Sequence, residues 1–130
     1  MFVLEEIMEK KILIIDDDPD IIEAATLLLE ANGYIVISET FSDEGFESVL
    51  KYKPDLIILD IMMQEPDDGF FLLRKLRKEN IHTPVIIYSS VSNALGYNFG
   101  NNNLIKVDEF IDKPAEPEKL ISSIKKILDK

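Results

Sequence analysis

The sequence predicts an α/β fold: a doubly wound five-stranded parallel sheet with helices on both faces, in which the fourth helix is short or missing. Three observations carry this. Short continuous apolar runs such as Ile12–Ile15, Leu56–Leu59 and Val85–Tyr88 read as strands covered on both faces. Segments with helical apolar spacing lie between most of them, so strand and helix alternate. The chain has 130 residues, enough for one domain with a real core and too few for a second. Right-handed crossovers then line the strand C-termini along one edge, where ligands bind near the switch in strand order.

Each element has its own signal. Ile12, Leu13, Ile14 and Ile15 stop abruptly at Asp16, Asp17 and Asp18. Asp18 before Pro19 reads as an N-cap with proline at the first helical position, and Ile21, Ala25, Leu28 and Leu29 keep helical spacing up to Asn32-Gly33. Ile35 to Ile37 form the second strand. Ser42 is expected to cap a helix carrying Phe46, Val49 and Leu50, and Pro54 closes that unit. Leu56 to Leu59 end in Asp60, and the loop from Ile61 to Asp68 leads into a helix from about Gly69 with Phe70, Leu73 and Leu76 on its buried side. Pro84 introduces the fourth strand. Between Ser89 and Glu109, Gly96, Gly100 and the asparagines at 98, 101, 102 and 103 disfavour a long helix. Phe110 and Ile111 make a short fifth strand, and Pro117 opens a last helix with Leu120, Ile121, Ile124, Ile127 and Leu128 on one face.

Composition removes several functions. Lys and Arg number 14 against 25 Asp and Glu, a net charge of -11, which argues against nucleic acid and anionic membranes as partners. The absence of cysteine excludes disulfides and thiolate metal sites. No apolar stretch approaches the roughly 18 residues of a membrane span, and Glu5, Glu6 and Glu9 stand where a signal peptide would be apolar, so the expected location is cytoplasmic. Residues 1–10, with Phe2, Val3, Leu4, Ile7 and Met8, read as an N-terminal extension to a domain at 11–130. Among the remaining features, His82 reads as a loop residue, and Tyr97 and Phe99 as anchors for the polar segment around them.

The informative fact is what ends each strand. Asp16 and Asp17 end the first, Asp60 the third and Ser89 the fourth, while Lys113 follows the fifth. Carboxylates gathered on one edge repel by ~1 to 4 kcal/mol per pair at an effective dielectric near 20. Cations must offset that, and an oxygen-only site suits a hard divalent ion, Mg²⁺ or Mn²⁺, with Lys113 as a second positive charge. A carboxylate so placed can attack phosphorus if its surroundings neutralise the phosphoryl oxygens. Asp60, alone at the end of a central strand, is the candidate nucleophile; Asp16 and Asp17 are the better pair to hold the metal, and Ser89 can donate its hydroxyl to a phosphoryl oxygen.

The segments Ile12-Leu13-Ile14-Ile15-Asp16-Asp17-Asp18-Pro19, Pro54 to Met63, Pro84 to Ser89 and Phe110-Ile111-Asp112-Lys113-Pro114 resemble the receiver domain of bacterial two-component response regulators, from about Lys11 to Lys130. The resemblance implies a flavodoxin-like strand order 2-1-3-4-5. It implies Asp60 as phosphoacceptor, Asp17 as a direct Mg²⁺ ligand with Asp16 beside it acting through water, and the Met62 backbone carbonyl as a further ligand. Ser89 would be the switch hydroxyl, with Ser90 the possible substitute one residue on, Lys113 the phosphate-binding lysine and Phe110 the switch aromatic. It also implies a cis Lys113-Pro114 bond, a sensor histidine kinase or phosphotransfer protein as donor, and a downstream protein target reached through a changed binding surface. The chain is expected to act as a stand-alone receiver, with no nucleic acid or membrane partner and no enzymatic turnover of an external substrate.

The sequence departs from the family in Gln64, where proline is usual, with Pro66 displaced into a loop one residue longer, in Ser90, where alanine is common, and in the segment replacing the fourth helix. Other readings remain. A degenerate receiver would bind partners without phosphorylation. A phosphohydrolase would use Asp16 and Asp18 as D-x-D, but has Asp20 where Thr or Val is usual and no cap domain. A flavin carrier would need a glycine- and hydroxyl-rich loop where three aspartates stand.

Overall fold

Five parallel strands, β1 (Lys11–Ile15), β2 (Ile35–Glu39), β3 (Leu56–Leu59), β4 (Val85–Ser89) and β5 (Glu109–Asp112), form one sheet in the order β2-β1-β3-β4-β5. The computed structural model describes residues 9–63, 68–90 and 107–129. The helices among them are α1 (Pro19–Ala31), α2 (Ser42–Tyr52), α3 (Asp68–Lys78) and α4 (Pro117–Leu128). The expected fold class and strand order are both found. The segment expected to replace a helix, with Tyr97 and Phe99, falls at 91–106, outside the described residues, as do the apolar residues of 1–8 and Gln64 and Pro66 of the β3–α3 loop. None of the helices among the described residues is long and apolar enough to cross a membrane.

The alternation of strand side chains builds two cores. Leu13, Ile15, Ile57, Leu59, Val85 and Ile87 point to one face, where Val49 of α2 and Leu72, Leu73 and Leu76 of α3 cover them. Ile12, Ile14, Leu56, Ile58, Ile86, Tyr88 and Ile111 point to the other, against Ala25 and Leu29 of α1 and Leu120 and Ile124 of α4. Continuous apolar runs are therefore needed in β1, β3 and β4, because both faces are buried. β2 lies at the sheet edge, and its Ile35 stays partly exposed.

Local chemistry sets the helix ends. Asp18 Oδ1 accepts the Asp20 N–H at 2.9 Å, with Pro19 opening α1 as expected. Gly33, at φ +89°, closes α1 in a backbone conformation that side chains disfavour, and Tyr34 N–H returns to the Leu29 carbonyl at 3.1 Å. The expectation for Ser42 is corrected. The Gly45 N–H bonds the Phe41 carbonyl at 2.9 Å, which makes Phe41 the N-cap and Ser42 the first helical residue. Leu50 is corrected as well: α2 turns Gly45, Ser48 and Val49 inward, and Leu50, one residue on from Val49, is exposed. Ser48 fits the buried face because its hydroxyl donates to the Glu39 carboxylate.

Polar clamps hold the lower edge of the sheet. Arg77 Nη1 donates to the Ile81 and Thr83 carbonyls at 2.9 Å each, fixing the turn between α3 and β4. Val85 N–H donates to Asp108 Oδ1 at 3.0 Å and Asp108 N–H returns to the Val85 carbonyl at 2.8 Å, which sets the register of β5. Arg77→Ala is expected to destabilise the fold by about 1.5–3 kcal/mol, the range for charge-assisted hydrogen bonds. Chemical denaturation checks it, and an unchanged midpoint would show that the turn holds without the guanidinium.

Candidate functional site

The strand ladders run one residue past β1 and β3 and so fix the first two acids by their backbones. Asp16 N–H donates to the Glu39 carbonyl at 3.1 Å, and Asp60 N–H donates to the Ile15 carbonyl at 3.0 Å. Asp16, Asp17 and Asp60 converge, with one oxygen of each within 4.8 Å of the others. Asp16 and Asp60 are buried, and Asp17 is the more open of the three. Asp18 N–H donates to Asp16 Oδ1 at 2.9 Å and Met62 N–H to Asp60 Oδ1 at 3.2 Å.

Lys113 closes the group from the end of β5. Its Nζ lies 2.6 Å from Asp16 Oδ2 and 3.2 Å from Asp60 Oδ2. Burial, the largest influence on Asp16, raises its pKa above the usual carboxylate value, and the nearby Asp60 adds to this; Lys113 and the Asp18 N–H pull the other way. Burial works against the charged form of Lys113, yet its contacts with Asp16 and Asp60 together outweigh that and raise its pKa. The ammonium therefore stays charged between Asp16 and Asp60.

The other expected residues are placed as follows. Ser89 is 1% exposed, and its hydroxyl has no hydrogen-bond partner among the described residues. A buried hydroxyl left without a partner is costly, so this one stands ready for an acceptor. Ser90 is exposed, which favours Ser89 of the two. Phe110 is half-buried against the core under α2 and α3. The Lys113-Pro114 bond is cis. Met62 is partly exposed, two residues past Asp60. His82 is an exposed residue of the α3–β4 turn.

Two residues escaped the sequence reading. Gly69 appeared only as a helix start, but its N–H donates to the Ile61 carbonyl at 2.8 Å, and a Cβ there would lie 2.0 Å from the Asp60 carbonyl oxygen. A glycine in the first turn of a helix, where it is disfavoured, was the available signal. Tyr88 appeared only as the end of an apolar run; it touches the segment Lys113–Ala115 after β5, the lysine loop, and gave no signal of that.

The donor set is all oxygen. Ligands at about 2.1 Å from one Mg²⁺ lie about 3–4 Å apart, so carboxylates within 4.8 Å need little movement to share a hard cation. An acidic, lysine-closed pocket at the C-terminal edge of a doubly wound parallel sheet is of the kind typical of phosphorylation sites. The chain belongs to the response regulator receiver domain family, whose sequence profile matches residues 12–125. It is 36% identical over 121 residues to the response regulator GtcR of Aneurinibacillus migulanus, covering 90% of this chain and 47% of that protein. It is 30% identical over 125 residues to the alkaline phosphatase synthesis transcriptional regulatory protein PhoP of Bacillus subtilis, covering 93% of this chain and 49% of that one. The chain thus spans about half the length of these curated relatives. The BeF3-activated receiver domain of Klebsiella pneumoniae RstA superposes with a TM-score of 0.80 at 26% identity, covering 92% of this chain and 99% of that one. Receiver domains usually bind Mg²⁺ at an acidic site, and the acidic cluster is present here.

Proposed function

We propose that the chain accepts a phosphoryl group on Asp60 from the phosphohistidine of a sensor histidine kinase or phosphotransfer protein, and then signals to a downstream protein through a changed binding surface. The observation that supports it best is the convergence of Asp60 with Asp16, Asp17 and Lys113. One Asp60 oxygen forms a bond to phosphorus as the bond from phosphorus to the imidazole nitrogen breaks, and the imidazole leaves with a proton from water. Asp16, Asp17, Asp60 and the Met62 carbonyl would hold Mg²⁺ or Mn²⁺, which when bound supplies charge neutralisation at the phosphoryl oxygens. Lys113 offers a second cation to those oxygens. Ser89 offers one of them a hydroxyl that has no partner among the described residues, and Phe110, next to the lysine loop, is the residue through which that change would reach the surface.

The reading is that of a signalling domain in the cytoplasm, turning over no external substrate. Asp18 is exposed and its Oδ1 accepts the Asp20 N–H at the start of α1, so helix capping accounts for this residue without a D-x-D hydrolase. The net charge of -11 favours a protein rather than nucleic acid as the direct contact of these 130 residues.

Intact mass after incubation with a small-molecule phosphodonor tests the reading. One phosphoryl adduct is expected with Mg²⁺ and none with chelator; no adduct under either condition would overturn it in favour of an interaction module that works without phosphorylation. Lys113→Ala is expected to slow adduct formation at least about tenfold without abolishing it, because one preorganised cation is lost while the nucleophile remains. Time courses of the adduct would show this. An unchanged rate would remove Lys113 from the chemistry.

A further inference from the structure

The last two residues of β4 hold the lysine loop at both ends. The Ser89 carbonyl accepts the Lys113 N–H at 3.2 Å. Tyr88 reaches further: its hydroxyl oxygen accepts the Ala115 N–H at 3.2 Å, and its ring centroid lies 5.6 Å from Lys113 Nζ. The residue is 8% exposed and packs in the core under α1 and α4 with Ile14, Ile58 and Ile111. The three side chains that precede it in β4, Val85, Ile86 and Ile87, are all aliphatic. Leucine or isoleucine would serve the core here as well, but neither could supply an acceptor to Ala115 or a π face to an ammonium.

We propose that Tyr88 is a positioning residue for Lys113, its ring and hydroxyl together holding the lysine loop so that the ammonium bridges Asp16 and Asp60. This rests on the reading of Lys113 as the group that receives the phosphoryl oxygens. A lysine side chain has wide rotamer freedom and a compact charge without directional preference. Two carboxylates 2.6 and 3.2 Å away attract it but leave its stem free to shift when one of them is modified. The rigid, buried ring beside the ammonium and the anchored Ala115 backbone two residues on limit that shift. Lys113 thereby stays over the site while the charge on Asp60 changes.

The test is a double-mutant cycle with two readouts. Tyr88→Leu is expected to slow phosphoryl uptake from a small-molecule phosphodonor about fivefold in the otherwise native chain, and less than about twofold in Lys113→Ala, since a residue acting through the lysine has nothing left to act on. Equal slowing in both backgrounds would overturn the proposal, because a purely structural role would act in each. Without metal or donor, NMR is expected to show an upfield ring-current shift at the Lys113 ε-protons that Tyr88→Leu removes and Tyr88→Phe keeps. Tyr88→Phe, which retains the core volume, is expected to speed hydrogen exchange at the Ala115 amide; unchanged exchange together with an unshifted Lys113 signal in the native chain would also overturn it. If the native chain forms no adduct at all, the reading of Asp60 fails, while the NMR readouts still decide whether Tyr88 holds the lysine.

Discussion

Asp60→Asn is expected to abolish phosphoryl uptake while leaving the chain folded. The carboxamide occupies nearly the same volume, and its oxygen can still accept the Met62 N–H that Asp60 Oδ1 now accepts at 3.2 Å. What it lacks is an anionic oxygen to bond phosphorus. It also turns a donor toward Lys113, so the ammonium is expected to rest on Asp16, its nearer partner at 2.6 Å. Removing one acid from a trio whose oxygens lie within 4.8 Å relieves repulsion, so stability should be preserved or improved. Intact mass and a thermal melt on the same sample decide it. A stoichiometric adduct on a folded Asp60→Asn would move the acceptor to another residue, with Asp17, the more open acid, first in line.

Gly69→Ala is the second large effect, and its sign is the informative part. By helix propensity alone the change would stabilise α3 by about 1 kcal/mol. The structure reverses that. The added methyl would lie 2.0 Å from the Asp60 carbonyl oxygen and 2.7 Å from Ile61 Cα, both backbone atoms that cannot rotate away. Overpacking of this kind costs about 3 kcal/mol, and a loss of that size in a domain this long lowers the melting temperature by roughly 10 °C. Relief requires α3 or the β3–α3 loop to move by about 1 Å, which displaces Asp60 from its neighbours and is expected to slow phosphoryl uptake by about a hundredfold. A variant that melts at or above the native temperature would show that α3 does not set the position of Asp60.

Much of this was legible because burial leaves a simple mark. A strand covered on both faces has to be apolar throughout, so β1, β3 and β4 announced themselves, and the polar residues that stopped them had to lie on one edge of a parallel sheet. Asp18-Pro19 and Asn32-Gly33 marked the ends of α1 by local backbone chemistry alone. The same logic failed where a residue's fate depends on something distant. Leu50 looks like a core residue and Ser48 like a surface one, yet α2 turns them the other way, and Glu39 of the neighbouring strand gives the buried Ser48 its partner. Ser42 looked like a cap because of its chemistry, but β2 extends to Glu39 and the first helical hydrogen bond falls on Phe41.

By itself the sequence determined the fold class, the number of strands and the identity of the acids, hydroxyl and lysine that end them, since these follow from patterns only a few residues long. The tertiary structure decided what those groups do to one another. Contacts such as Lys113 to Asp16 join residues 97 positions apart, and their distance depends on strand register, helix phase and the path of the loop after β5. It also decided that Ser89 rather than Ser90 is enclosed, that Gly69 admits no side chain and that Tyr88 reaches Ala115. Local patterns say which residues are buried or turned; only close packing in three dimensions sets the ångström-scale separations on which charge and chemistry depend.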